Sequence, residues 1–404
     1  MALVLKNGKI ITPIRVMNRG SLVIQGGEIV AIGESVEVPS EAQVIDVGGR
    51  YIAPGFIDIH LHGGGGADVM DGTVEALETI ARTHAKTGTT ALLPTTLTAP
   101  IDDIRAALEK ITYAKENPVH GAKILGAHVE GPYFAFEQRG AQNPEFLKKP
   151  EKKVYRSILD QYDCVLRFSA APELEGALEL GRELSSRGIL ASIAHSDATY
   201  QQVLAAVEAG YSHATHMFSG MSGLRRVDAY RVSGVIESTL LLDELTTELI
   251  ADGHHLPPSL MKLVIRAKGL DQVAVVTDAM AAAGLGAGEY SLGGLDVIVE
   301  DQIPEAFEVP GQTGNYVAKL LDRSAFAGSV ATMDQLVRNM VNLVGLSIQD
   351  AVQTATVNPA KILGIDDERG TLAPGMKGDV VVFDEDIEVQ MTVVEGQIVY
   401  AKAQ

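Results

Sequence analysis

Short apolar runs and amphipathic stretches alternate through the middle of this chain, and that alternation constrains its fold more than any other feature. The runs fall at 56–62, 88–94, 124–130, 165–171, 189–195, 211–216, 246–252 and 272–278. Between them Val74, Leu77, Ile80 and Ala81, or Leu174, Ala177, Leu178 and Leu184, recur at helical spacing. Strands joined through helices run parallel, because a parallel pair needs a long crossover. Eight such units predict an α/β fold, a (β/α)8 TIM-type barrel; a doubly wound open sheet shares the alternation and stays open as an alternative. The 404 residues suit one barrel with a small satellite domain.

The two ends have another texture. Leu3–Leu5, Lys9–Ile11, Ser21–Ile24, Ile29–Ile32 and Val44–Val47 read as short strands, with Asn7-Gly8 and Gly26-Gly27 as hairpin turns. Asp379–Phe383, Gln390–Val394 and Gln397–Tyr400 repeat the pattern, with Glu395-Gly396 as a turn. Neither end has enough apolar surface to fold alone, so both are expected to build one small β domain. Residues 284–325, rich in Gly, Pro and acids, read as an excursion of the kind that covers a barrel's active site.

In a barrel, the C-terminal ends of the strands converge on one cavity. The run Phe56-Ile57-Asp58-Ile59-His60-Leu61-His62 aims His60 and His62 the same way, since residues two apart on a strand share a face. The third run ends on Glu130, the fifth on His195 and the sixth on His216. The seventh leads into Asp252-Gly253-His254-His255, and the eighth ends on Asp278, which is read as catalytic. Imidazole and carboxylate donors suit Zn²⁺ or Fe²⁺ and, unlike thiolate sets, leave room for a water.

Other residues have plainer readings. His84 and His120 are expected to be structural. His128 shares a face with Glu130 and reads as a supporting donor. His213, three before His216, is expected to point away from the site. Asp58, on the same face as His60 and His62, reads as a supporting hydrogen-bond partner and not a ligand, and Asp197 as the N-cap of the helix after His195. Gly63-Gly64-Gly65-Gly66 lacks the Lys-Ser/Thr ending of a phosphate-cradling loop and reads as a tight turn.

With 33 basic against 52 acidic residues the net charge is −19, which argues against nucleic acid or an anionic membrane as partner. A small anionic substrate is compatible, since a few local basic groups suffice. The lone Cys164 rules out an internal disulfide framework. No apolar run reaches the roughly 18 residues of a membrane span, and the opening residues read as a strand, not a secretory signal. A cytoplasmic enzyme is the expectation.

The segment Pro54-Gly55-Phe56-Ile57-Asp58-Ile59-His60-Leu61-His62-Gly63 resembles the opening motif of the amidohydrolase superfamily. His128-Val129-Glu130-Gly131-Pro132-Tyr133, Ala194-His195-Ser196-Asp197-Ala198, His213-Ala214-Thr215-His216-Met217-Phe218 and Val276-Thr277-Asp278-Ala279-Met280 resemble one family within it, N-acetylglucosamine-6-phosphate deacetylase. Ala251–His255, Phe326–Ser329, Asn358–Lys361 and Gly370–Gly375 extend the likeness along nearly the whole chain. The resemblance implies a barrel at 53–360 with a β-sandwich formed from 1–52 plus 361–404. It also implies hydrolysis of the acetamide of an amino-sugar 6-phosphate, and a homodimer. Glu130, His195 and His216 would bind a divalent metal, Zn²⁺ ahead of Fe²⁺, with His60 and His62 adding a second in members that keep both. The fourth run ends Ser169-Ala170-Ala171-Pro172, without the bridging lysine of many amidohydrolases, which fits Glu130 in that place.

Three departures bear on the substrate. Gln142 stands where some members have a histidine beside the acetyl group. Ser219-Gly220 replaces an Asn-Ala pair near the phosphate. Leu224–Arg231 replaces an Arg-Glu-Pro-Gly segment whose arginine reaches a neighbouring subunit's phosphate, with Arg225, Arg226 and Arg231 as candidates. Gln142, Ser219, Gly220, Arg231 and His255 are therefore the expected substrate contacts. The competing readings are an amidohydrolase for another acetylated sugar, such as the galactosamine epimer, or for a cyclic amide, and a barrel kept as a silent scaffold.

Overall fold

The computed structural model describes residues 2–301, 310–312, 314 and 316–403. Eight strands carry the middle of the chain: β1 Phe56–Leu61, β2 Thr89–Pro94, β3 Ala127–Glu130, β4 Val165–Ala170, β5 Leu190–Ile193, β6 Tyr211–Ala214, β7 Thr246–Leu249 and β8 Val273–Val275. A helix follows each one, from Val74–Ala85 after β1 to Met333–Asn339 after β8. Every pairing among them is parallel. β3 to β8 form one sheet in sequence order, while β1 and β2 form another with Lys123–Ile124. The third run is thus split at Leu125-Gly126: its first half pairs with β2 and its second with β4. A side chain at Gly126 would meet the Cys164 carbonyl at 2.4 Å, so the close approach at this break needs glycine.

Backbone contacts join the two sheets on both sides. Thr95 bridges His128 in parallel, and Thr96 N–H donates to the His128 carbonyl at 3.0 Å. On the other side Leu61 bridges Ala279, and Asp278 N–H donates to the His60 carbonyl at 2.9 Å. Asp58 supports this second seam, accepting from Thr277 Oγ1 at 2.5 Å. It also accepts from the His60 backbone N–H at 3.3 Å, the supporting role expected of it. The result is a curled parallel sheet that fits a barrel.

Both ends of the chain enter one eight-stranded sheet. Tyr51–Pro54 pairs antiparallel with Val380–Phe383, so the last strand before the parallel sheets is clamped by the C-terminal segment. Gly26-Gly27 and Glu395-Gly396 are turns between paired strands, as expected. Asn7-Gly8 is not a hairpin turn. It lies inside one continuous strand, Leu3–Ile11, where the register with Val16–Gln25 slips on both sides of Gly8. A local bulge uses the same turn-prone residues that a hairpin would. Gly63–Gly66 does form a tight turn, between Gly63–Gly64 and Ala67–Asp68. The excursion contains a three-stranded antiparallel sheet, Gly288–Leu292, Leu295–Glu300 and Val317–Leu320; residues 302–309, also within it, lie outside the described residues. Its Leu292, Val297 and Val299 pack on Leu97 and Met280, which follow β2 and β8. No helix among the described residues is long and apolar enough to cross a membrane.

Candidate metal centre and active site

His60 lies at the end of β1 and His62 one residue beyond it, Glu130 ends β3, and His195, His216 and Asp278 lie two or three residues beyond β5, β6 and β8. These last three have positive φ, of 45°, 30° and 48°, a region that costs a non-glycine residue energy. The left-handed step breaks strand alternation and turns each side chain towards the cavity mouth. It also explains why alternation misjudged His213. That residue does not point away: its Nε2–H donates to Glu248 at 3.1 Å inside the sheet, and the step at His216 supplies the change of direction.

Glu130 is the centre of the cluster. Its Oε1 lies 3.4 Å from His60 Nε2, 3.5 Å from His195 Nε2 and 3.2 Å from His216 Nε2; its Oε2 lies 3.3 Å from His62 Nε2. Two sets of potential ligand atoms result, His60/His62/Glu130 and Glu130/His195/His216, each within 4.8 Å of one another and buried. Asp278 Oδ1 sits 3.1 Å from His62 Nε2 and 3.4 Å from His60 Nε2.

Three of the four imidazoles are held by the nitrogen that faces away from this centre. His60 Nδ1–H donates to Glu248 at 2.9 Å, His62 Nδ1–H to the Thr95 carbonyl at 3.1 Å, and His195 Nδ1–H to the Gln138 carbonyl at 2.8 Å. Each leaves Nε2 as the free donor, the arrangement in which an imidazole binds a metal. His60 Nε2 is buried without a hydrogen-bond partner. A buried polar atom left so is costly, and a cation between it and Glu130 would remove the cost. The residues present therefore fit a divalent metal.

The charges tell the same story. Burial alone would raise the Glu130 carboxyl, but His60, His195 and His216 outweigh it and hold it well below the usual range. Burial is likewise outweighed at Asp278, lowered chiefly by His60 and His62. At His60, burial is overcome by Glu130 and Asp278, and its value rises to about 9. Carboxylates ionised at neutral pH draw positive charge into this space; a cation supplies it when bound.

A cavity of about 290 Å³ opens over the cluster, lined by Glu130, His62, His195, His216 and Asp278. Gln142, Ser219, Gly220 and His255 line it too, so these expected contacts come together. Gln142 accepts from Thr98 N–H and donates to Glu130 Oε2, both at 2.9 Å. A side chain at Gly220 would meet His195 Nδ1 at 2.6 Å, so this glycine lets the imidazole take its place. His255 donates from Nδ1 to Asp252 at 2.8 Å and packs on Phe326. Leu292 and Phe326, from the excursion and its end, close one side, as expected of a cover.

Arg231 is not brought to this cavity. It lies on an exposed two-stranded ribbon, Arg225–Val227 with Tyr230–Val232, opposite Arg226, and donates to the Ala229 carbonyl at 2.9 Å. Arg225 is engaged with Asp197 at 2.6 Å. Asp197 is therefore not the helix N-cap; Thr199 fills that place through a capping box with Gln202. His84 is buried against the Gly63 carbonyl and His120 is exposed, both away from the cavity. His128 contacts Thr95 and Ser169 and packs edge-on against His60, but bonds to none of the cluster's side chains.

Sequence reasoning missed Arg167 and Glu248, which lie directly beneath. Arg167 is wholly buried and donates to both Glu248 oxygens, at 2.7 and 2.9 Å. The available signal was one charge of each sign within β4 and β7, strands expected to be buried, where an isolated charge is not tolerated.

Residues 51–399 match the amidohydrolase family, and the chain belongs to it: the fold and the site are those of a hydrolase. Within that family it belongs with the N-acetylglucosamine-6-phosphate deacetylases. It is 35% identical to the N-acetylglucosamine-6-phosphate deacetylase of Vibrio furnissii over 382 residues, 94% of this chain and 90% of the relative. It is 34% identical to the N-acetylgalactosamine-6-phosphate deacetylase of Escherichia coli O157:H7 over 399 residues, 98% and 99% of the two chains. The crystal structure of N-acetylglucosamine-6-phosphate deacetylase from Pasteurella multocida superimposes with a TM-score of 0.89 at 30% identity, covering all of both chains. A mutant of the Mycobacterium smegmatis enzyme, in complex with N-acetyl-D-glucosamine-6-phosphate, gives 0.86 at 31% identity over 99% of each.

Proposed function

We propose that this chain hydrolyses the acetamide of N-acetylglucosamine 6-phosphate, releasing glucosamine 6-phosphate and acetate. The observation that carries the reading is the sharing of Glu130 by two buried ligand sets at a cavity that Asp278 also lines. His60, His62 and Glu130 would hold one cation, and Glu130, His195 and His216 another, so one or two per subunit. Zn²⁺ suits this nitrogen and oxygen set best, with Fe²⁺ second. When bound, the metal supplies Lewis acidity and lowers the pKa of a water towards about 7.

The chain's own groups do the rest. Asp278, ionised, accepts the proton of the attacking water and passes it to the departing amine, a poor leaving group until protonated. Gln142 spends one N–H on Glu130 and keeps the other for the acetyl oxygen as charge develops there. His255, Ser219 and Gly220 hold the sugar phosphate and so align the acetamide. None of the described residues lining the cavity is lysine or arginine. The ribbon at 225–232 is the proposed source of positive charge, reaching the partner's site in a homodimer. Arg226 or Arg231 would serve, since Arg225 is engaged with Asp197; exposed Leu224, Val227 and Tyr230 favour such a contact.

The architecture we infer is a closed (β/α)8 barrel at 53–360 and a β-sandwich from 1–52 plus 361–404, in a cytoplasmic enzyme. A second substrate, the galactosamine epimer, is favoured by the similarity to the Escherichia coli relative. Acetate release from both 6-phosphates and both free sugars tests these readings. The glucosamine derivative is expected to react fastest, phosphorylated ahead of free. No acetate from any of the four would refute the proposal.

A further inference from the structure

One carboxylate beneath the cavity touches both proposed ligand sets. Glu248 Oε1 accepts His60 Nδ1–H at 2.9 Å and the backbone N–H of His216 at 3.2 Å. Its Oε2 accepts from His213 Nε2 at 3.1 Å, and Arg167 donates to both oxygens. Arg167 in turn donates to the Ile59 carbonyl at 3.2 Å, Ser192 Oγ at 3.1 Å and Thr215 Oγ1 at 2.9 Å. This layer therefore links β1, β4, β5 and β7 to the β6 segment, and every member is fully buried.

A buried ion pair is an expensive way to fill a core, since apolar groups of similar volume often stabilise as well or better. We infer that Glu248 is a positioning residue: it holds the proton of His60 on Nδ1, aims Nε2 at Glu130, and so creates the metal position shared by His60 and His62. His62 and His195 are oriented by main-chain carbonyls and His216 Nδ1 has no hydrogen-bond partner; of the four, His60 alone takes a full negative charge on its outer nitrogen, which raises the basicity of the inner one. The inference rests on the metal centre proposed above, not on the identity of the substrate.

The test reads metal directly, with no substrate present. Purified full-length protein is dialysed against buffered Zn²⁺, and ions per chain and their affinities are measured by elemental analysis and chelator competition. Wild type should bind two ions. Glu248→Gln should weaken one of them by about 10- to 100-fold and the other far less. Because Gln leaves the Arg167 charge unpaired, Arg167→Met combined with Glu248→Leu provides an apolar replacement of the pair and should show the same selective loss. Ser192→Ala removes an Arg167 contact but leaves Glu248 on His60, and should retain both ions. In zinc-loaded wild type, ¹⁵N-labelled histidine should show a proton on His60 Nδ1. Two ions held with unchanged affinity in either folded variant overturn the inference. So does a Ser192→Ala protein that loses the same ion, or a His60 without that proton, a result that decides even if the Glu248 variants fail to fold. Wild type that binds no ion would sink the metal centre itself; failure to release acetate would sink only the deacetylase reading.

Discussion

Asp278 and Glu130 both line the cavity and both approach His60 and His62, yet their proposed tasks differ, and substitution separates them. Asp278→Asn keeps an oxygen near His62 but removes the proton acceptor. Turnover should fall by about 10²- to 10⁴-fold with metal content unchanged, read by acetate release beside elemental analysis. Glu130→Ala removes the atom pair common to both ligand sets, so metal content and activity should fall together. An Asp278→Asn protein near wild-type rate would assign the proton transfer elsewhere. These residues were legible because histidine and carboxylate at the ends of apolar runs have few uses there. The support beneath them was less so. His213 looked outward because alternation carries no sign of the left-handed step at His216, and Arg167 and Glu248 were unremarked because each charge makes sense only beside the other, 81 positions away.

Whole segments follow the same division. The strands were readable from apolar runs, but a run does not reveal where it breaks, as between Ile124 and Ala127, nor that Asn7-Gly8 bulges instead of turning. The segment after β7 carries a pH-dependent expectation. Burial lowers the His255 imidazole, but the Asp252 carboxylate at 2.8 Å more than compensates, and its value is raised above 6.5. The imidazolium is therefore held to higher pH than in a free imidazole and is lost as pH rises through the folded-state value. If His255 meets the sugar phosphate, KM for the phosphorylated substrate should climb on that alkaline side. Asp252→Asn removes the compensating charge and leaves burial dominant, so the climb should begin at lower pH. A KM profile identical in both proteins would remove His255 from phosphate binding.

At the scale of the molecule, the question is whether the terminal sheet is an appendage or part of the same cooperative unit. The ends were recognisable as β-rich, and their union was expected because neither could bury enough surface alone; the atoms that join them to the parallel sheets were not. Phe383, fully buried, stacks on Tyr51 at 5.4 Å and on Phe56 at 6.3 Å, and Phe56 begins the strand that carries His60 and His62. Thr392 Oγ1 donates to the Ala85 carbonyl at the end of the helix after β1, at 2.7 Å. Contacts this intimate predict one unfolding transition. Phe383→Ala should cost about 3–5 kcal/mol through lost burial and a cavity, and should lower the stability of both regions together. With no tryptophan in the chain, far-ultraviolet and near-ultraviolet circular dichroism during urea unfolding would follow it. The two signals should coincide in wild type and variant, with the variant's midpoint lower. Residual activity, measured below that midpoint, should stay close to wild type because no cavity residue is touched. Separate transitions, or a cost below about 1 kcal/mol, would mean that the terminal sheet merely leans on the parallel sheets.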